Sequence, residues 1–201
     1  MKRIVDPGPR NDAYLDFIDA RASDPVDAPR NIEAISYLPD TFFANDKSET
    51  GWKWMQYVYD RRETRHVNAR QGLNGDYPEI PFTLLSQTVE GLMGVRPDAP
   101  NGRIATLSRL PADIGWLEVS DIPFGRGAVT VRHEGTTRST LTNRARDHAV
   151  TWEARFQGTH ARATVDGVPA SARTAEIDGV TYTVVERHVP PGRSVTVDVS
   201  G

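Results

Sequence analysis

Two hydrophobic periods divide the chain. Before residue 97 apolar side chains recur at helical spacing; beyond Arg96-Pro97-Asp98-Ala99-Pro100 they alternate one by one. Asn31 suits the cap of a helix running through Ile32, Ile35 and Leu38, and Pro39 predicts a kink or split before Phe42-Phe43. Asp46 and Glu49 have capping-box spacing for a helix over roughly 47–62. That helix carries Trp52, Trp54, Met55, Tyr57, Val58 and Tyr59, so it calls for neighbours on most of its sides. Pro81 opens a last helix, with Phe82, Leu85, Val89 and Leu92 along one stripe and Gly94 placed to end it in the left-handed conformation.

In the second half Val150, Trp152, Ala154 and Phe156 alternate with Thr151, Glu153 and Arg155, the pattern of a strand with one face in a core. Val180, Tyr182 and Val184 repeat it, as do Val195, Val197 and Val199. Further strands are expected over 103–108, 116–120, 128–133 and 139–143, and Asp166-Gly167 and Asp178-Gly179 are hairpin turn signals. About seven to nine short strands at this spacing imply an antiparallel β-sandwich. The fold class is therefore α+β: a few N-terminal helices, then a sandwich. Three regions follow: a partly ordered leader over 1–30, a helical region over 31–97 and the sandwich over 98–201. Within the leader, 13–22 has helical spacing and is expected to dock through Tyr14, Phe17 and Ile18.

Charge narrows the function classes. The net charge of −3 comes from the first half, where residues 1–97 hold 15 acids and 12 bases against 12 of each in 98–201. Neither half is a basic patch, which argues against nucleic acid as a partner. No run approaches the roughly 18 apolar residues of a membrane span. The first twenty residues lack the apolar core of a signal peptide, so a cytoplasmic protein is expected. There is no cysteine, and the five histidines show no HxH or HExxH spacing, so neither a disulfide nor a zinc site is expected. Nucleotide fingerprints and a GxSxG elbow are absent, and no cofactor is implied.

The stretch Asn74-Gly75-Asp76-Tyr77-Pro78-Glu79 is the candidate for chemistry. Asp76 and Glu79 sit in a Gly- and Pro-bounded loop at a helix start, where a carboxylate is positioned and the helix amides favour its ionised form. The same residues equally suit a turn and a helix cap. Trp52, Trp54 and Tyr77 could stack on a pyranose ring or simply fill a core, and His66, between Arg65 and Asn68, could bond hydroxyls or face water.

With Ile35-Ser36-Tyr37-Leu38-Pro39, Trp52-Lys53-Trp54-Met55, the Asn74–Glu79 loop and Ser86-Gln87-Thr88-Val89-Glu90-Gly91-Leu92-Met93-Gly94-Val95, the chain from Ile35 to about Val165 resembles the C-terminal end of bacterial six-hairpin glycosidases. Asp98-Ala99-Pro100, Leu110-Pro111, Leu141-Thr142-Asn143 and Thr151-Trp152-Glu153-Ala154 fit the same resemblance. It implies an (α/α)6-barrel glycoside hydrolase with a C-terminal β-sandwich, acting on an oligosaccharide or glycoside. Glu79 and Asp76 would be its catalytic candidates, and Trp52, Trp54, His66 and Tyr77 its substrate contacts. A barrel of about twelve helices needs roughly 400 residues. The resemblance thus implies a C-terminal portion or subunit, catalytically incomplete alone, with a larger catalytic chain or a homo-oligomer as partner. A non-catalytic carbohydrate-binding or structural module is the alternative.

Overall fold

The computed structural model describes residues 9–24, 31–68, 70 and 72–201. They form two compact units, one ending at Gly91 and one spanning Leu92–Gly201. Residues 1–8 and 25–30 of the expected leader lie outside the described residues.

The first unit is helical: α1 (Pro9–Ser23), α2 (Ile32–Ser36), α3 (Leu38–Ala44), α4 (Ser48–Asp60) and α5 (Glu79–Ser86), the last continuing as a π-helical turn over Gln87–Leu92. Its core gathers Leu15, Ile32, Ile35, Phe42, Trp54, Val58 and Ile80. In α1 the buried stripe is Leu15 and Ala22 with Ile18 partly covered, whereas Tyr14 and Phe17 face solvent. Docking through the aromatics is thus corrected. The Leu15–Ala22 side also carries Asp19, which accepts from Trp54 Nε1 (2.8 Å) and Lys53 Nζ (2.8 Å) and so fixes which face turns inward.

Asn31 caps α2 as expected, its Oδ1 accepting the Glu33 amide at 3.0 Å. The break before α3 falls at Tyr37 rather than at Pro39, because proline is tolerated in a first helical turn, where its missing amide is no loss. The start of α4 falls one residue beyond that expected with Asp46 as its cap. Lys47 is the N-cap without a side-chain bond, and Asp46 instead takes positive φ in the turn before it. Phe43 lies so close to α4 and the π turn that a Cβ at Gly91 would come within 2.6 Å of its ring and one at Gly51 within 2.9 Å.

The expected stripe on α5 is also overturned. Ile80 and Gln87 are buried, while Phe82 and Leu85 are 68% and 62% exposed. Both sets fit a helical period. A π-helical turn follows at Gln87, where the regular 3.6-residue period ends.

The second unit is a β-sandwich of two sheets. In chain order its strands are β1 (Arg96–Asp98), β2 (Arg103–Leu107), β3 (Trp116–Phe124), β4 (Gly127–Glu134), β5 (Arg138–Asn143), β6 (Val150–Gln157), β7 (Arg162–Val165), β8 (Val168–Pro169), β9 (Arg173–Ile177), β10 (Val180–Val189) and β11 (Ser194–Ser200). One sheet is ordered β1-β2-β6-β10-β9 and the other β3-β4-β5-β11-β7-β8. Pairing is antiparallel except between β2 and β6, which run parallel. Val150, Trp152, Ala154 and Phe156 are fully buried, and Trp152 Nε1 donates to Thr106 Oγ1 at 2.9 Å, so the indole's polar edge costs nothing.

Both Asp-Gly pairs make the turns their sequence requires. Asp166 and Gly167 (φ 50° and 79°) join β7 to β8, and Asp178 and Gly179 (φ 51° and 73°) join β9 to β10. Buried Asn143 bonds the carbonyls of His148 and Val189 and the amide of Ala145, which pins the 144–149 loop to the end of β10. Gly94 takes φ +56° as expected; a side chain there would meet the Leu107 carbonyl at 2.3 Å.

Candidate functional site

The 61–78 loop folds back on itself around Asn74. This buried amide donates to Arg61 O (3.0 Å) and Thr64 Oγ1 (2.8 Å), while the Gly75 amide reaches Arg62 O at 2.6 Å and Arg65 bridges Leu73. Asp76 is used inside the loop: its Oδ2 accepts the Leu73 amide at 3.2 Å. The loop thereby delivers His66 and Tyr77 to the helices.

His66 is buried, and its Nδ1 accepts the Asn68 amide at 3.0 Å, leaving the ring proton on Nε2. Nε2 lies 3.1 Å from Glu33 Oε1 of α2 but is poorly aligned, so the contact is electrostatic rather than a full hydrogen bond. The other oxygen of Glu33 accepts from Asn31 Nδ2 at 3.2 Å. Glu33 is therefore held from both sides. Tyr77 stacks on the His66 ring at 5.4 Å between centroids.

Glu79 occupies the first turn of α5, where the helix amides favour a carboxylate. The Tyr37 phenol, at the α2–α3 break, feels its charge. The negative charge of Glu79 is the main reason the Tyr37 phenol is pushed above its usual pKa, followed by burial, with Asp40 and Glu33 adding further. Tyr77 is pushed the same way, chiefly by Glu33 and then by Glu79. Each phenol thus feels both carboxylates. Glu33, Tyr37, His66, Tyr77 and Glu79 form one cluster, with Tyr37 and Glu79 exposed.

Such a cluster offers carboxylates and phenols that exchange hydrogen bonds with hydroxyl groups, and two aromatic rings on which an apolar ring face can rest. Beside it, Gln87 Nε2 donates to the Ser36 carbonyl at 2.6 Å and lies 3.2 Å from Asp40. Burial lifts the Asp40 carboxyl above its ordinary range, with the Gln87 bond acting against that rise. The amide thereby ties α5 to the residue preceding Tyr37.

Of the residues singled out by sequence, Glu79, His66 and Tyr77 come together. Asp76 is spent on the loop. Trp54 is in the core with its indole nitrogen on Asp19, and Trp52 lines a groove between α4 and α5. Glu33 and Tyr37 escaped the sequence reading. Their one signal was position, since Asn31-x-Glu33 is a helix start like that of Glu79. Among the described residues no His, Asp and Glu group has a metal-binding arrangement, and no helix is long and apolar enough to cross a membrane.

No family model matches the chain, and no curated protein matches it. Among solved structures the chain is similar to a GH127 β-L-arabinofuranosidase from Geobacillus stearothermophilus T6, at 11% identity and a TM-score of 0.37. The match covers 86% of this chain and 32% of that one, so the chain spans about a third of that protein's length. So slight a likeness identifies no family.

Proposed function

We propose that this chain is the C-terminal portion of a six-hairpin glycoside hydrolase and that its helical unit contributes a carboxylate-and-tyrosine set to a sugar-binding site. The observation that carries the reading is the charge of Glu79 felt at the Tyr37 phenol, beside Glu33, Tyr77 and His66. Four of these side chains come from segments that carry the sequence resemblance, Ile35–Pro39 and the loop ending in Glu79, or lie within four residues of them; His66 is the fifth. In this role Glu79 is the catalytic candidate, Tyr37 and Tyr77 contact the sugar, and His66 acts through Glu33 and Tyr77. The remaining helices of a barrel, and the second catalytic group, belong to a larger catalytic chain.

Titration calorimetry with neutral oligosaccharides, run beside an assay for released reducing ends, tests this reading. Tyr77→Ala should weaken binding by about tenfold, the scale of one lost ring contact. Glu79→Gln should abolish hydrolysis by an assembled enzyme and leave binding nearly unchanged. Absence of any oligosaccharide binding would sink the proposal.

A non-catalytic binding module is favoured by one observation: Asp76, the other carboxylate of the Asn74–Glu79 loop, is committed to the Leu73 amide. On that reading Glu79→Gln changes binding alone, and no hydrolysis accompanies any assembly.

A further inference from the structure

Two turns of the sandwich are held against each other and shape a basic pocket. Asn143 pins the 144–149 loop through its bonds to the His148 and Val189 carbonyls and the Ala145 amide. From the start of β4, the Ala128 carbonyl accepts the Arg144 amide at 2.9 Å. The two backbones approach so closely that a Cβ at Gly127 would stand 2.8 Å from that of Ala145. A cavity of about 260 Å³ opens here, lined by Arg126, Gly127, Arg144, Ala145, Arg146 and Asp147.

Three arginines and one carboxylate thus share the lining. The carboxylate is committed to a histidine: Asp147 Oδ1 lies 2.8 Å from His148 Nδ1, while its Oδ2 is 3.9 Å from Arg126 Nη2. Asp121, outside the lining, lies 3.4 Å from Arg144 Nε, which donates to Thr130 Oγ1 at 2.9 Å. Arg146 has no ion pair among the described residues. Even with Asp121 counted the pocket keeps a positive surplus, in a chain whose net charge is −3.

Planar guanidinium forks on a fixed backbone suit an oxyanion. A carboxylate has two oxygens, the match of one fork, whereas a phosphate group presents three strong acceptor oxygens and so can engage several forks. We propose that this pocket binds a tetrahedral oxyanion, the phosphate or sulfate group of an anionic ligand, with Arg146 as its principal anchor and Arg126 and Arg144 as flanking donors. The Arg126 side chain is 85% exposed, which leaves the rest of such a ligand a way out to solvent. The site lies within the β unit and stands without the carbohydrate reading.

The test uses the full chain with sodium phosphate, sodium sulfate and sodium acetate, at neutral pH and constant ionic strength. Arginine Nε–H resonances are followed by NMR. The signals of Arg126, Arg144 and Arg146 should shift saturably with phosphate and with sulfate, about tenfold or more tighter than with acetate. The tighter of the two names the group. Arg146 is exposed, so Arg146→Gln keeps the fold, and it should weaken binding about tenfold or more, the scale of a lost hydrogen bond to a charged group. Arg162→Gln, at an exposed position of β7 outside the pocket, should leave binding unchanged. Equal, unsaturated responses to the three anions, a response at Arg162 matching that of the pocket arginines, or indifference to Arg146→Gln would overturn the proposal.

Discussion

His66 Nε2 lies 3.1 Å from Glu33 Oε1 while His66 Nδ1 accepts the Asn68 amide. The contact joins the 61–78 loop to α2 and holds a carboxylate in a fixed place beside Tyr77. Replacing His66 with Ala should leave the Asn68 amide without its acceptor, empty the buried site of the ring and release Glu33. A loss of about 1–3 kcal/mol in urea unfolding of the helical unit is expected. Nitrogen NMR should find the proton on Nε2 in the wild type; a proton on Nδ1 would contradict the arrangement.

The two phenols report on the two carboxylates. A nearby negative charge disfavours a phenolate, so removing it lets the phenol ionise at lower pH. Glu79→Gln should therefore lower the titration midpoint of Tyr37 more than that of Tyr77, because Glu79 is the leading cause at Tyr37. Glu33→Gln should do the reverse, since Glu33 leads at Tyr77. Absorbance or NMR titration at alkaline pH separates these outcomes, and two unmoved midpoints would dissolve the cluster.

The sandwich carries its own pH signature. His133 is buried between Ser139 Oγ (2.7 Å from Nδ1) and the Met93 carbonyl (3.0 Å from Nε2), and burial lowers its pKa from 6.5 to about 4. The native state refuses a proton that the unfolded chain accepts. Stability from this residue is thus fully present above pH ~6.5 and is lost as pH falls towards 4, by about 3 kcal/mol in total. His133→Gln should flatten the stability profile of the β unit across that window. A profile identical to the wild type would remove His133 as the cause.

The period-2 half was the more legible in sequence. Val150, Trp152, Ala154 and Phe156 alternate because one sheet face is buried throughout, and the two Asp-Gly turns follow from backbone twist alone. The edge strands Arg96–Asp98 and Arg173–Ile177 bury too little to leave an alternating pattern, and they were missed. In the helical half, a 3.6-residue period allows several stripes, and the buried one, Ile80 and Gln87, is the one on which Gln87 reaches the Ser36 carbonyl. Glu79, His66 and Tyr77 stood out as a polar loop beside a helix start. Glu33 and Tyr37 did not, because they reach the site only through the α2–α3 break, which local sequence does not aim.

Gly94 is the most constrained backbone position of the β unit. Gly94→Ala adds positive-φ strain and a contact of 2.3 Å with the Leu107 carbonyl. A loss of more than about 2 kcal/mol is expected by denaturant unfolding. A neutral result would show that the 92–95 segment yields freely.

The central claim is that Tyr37, Tyr77 and the carboxylates beside them meet a sugar. An NMR titration of the ring-labelled tyrosines with neutral pentose and hexose oligosaccharides tests it most directly. Tyr37 and Tyr77 should shift together and saturably while exposed Tyr14 and Tyr59 stay in place. No shift at all, or shifts confined to Tyr182 in the sandwich, would contradict it.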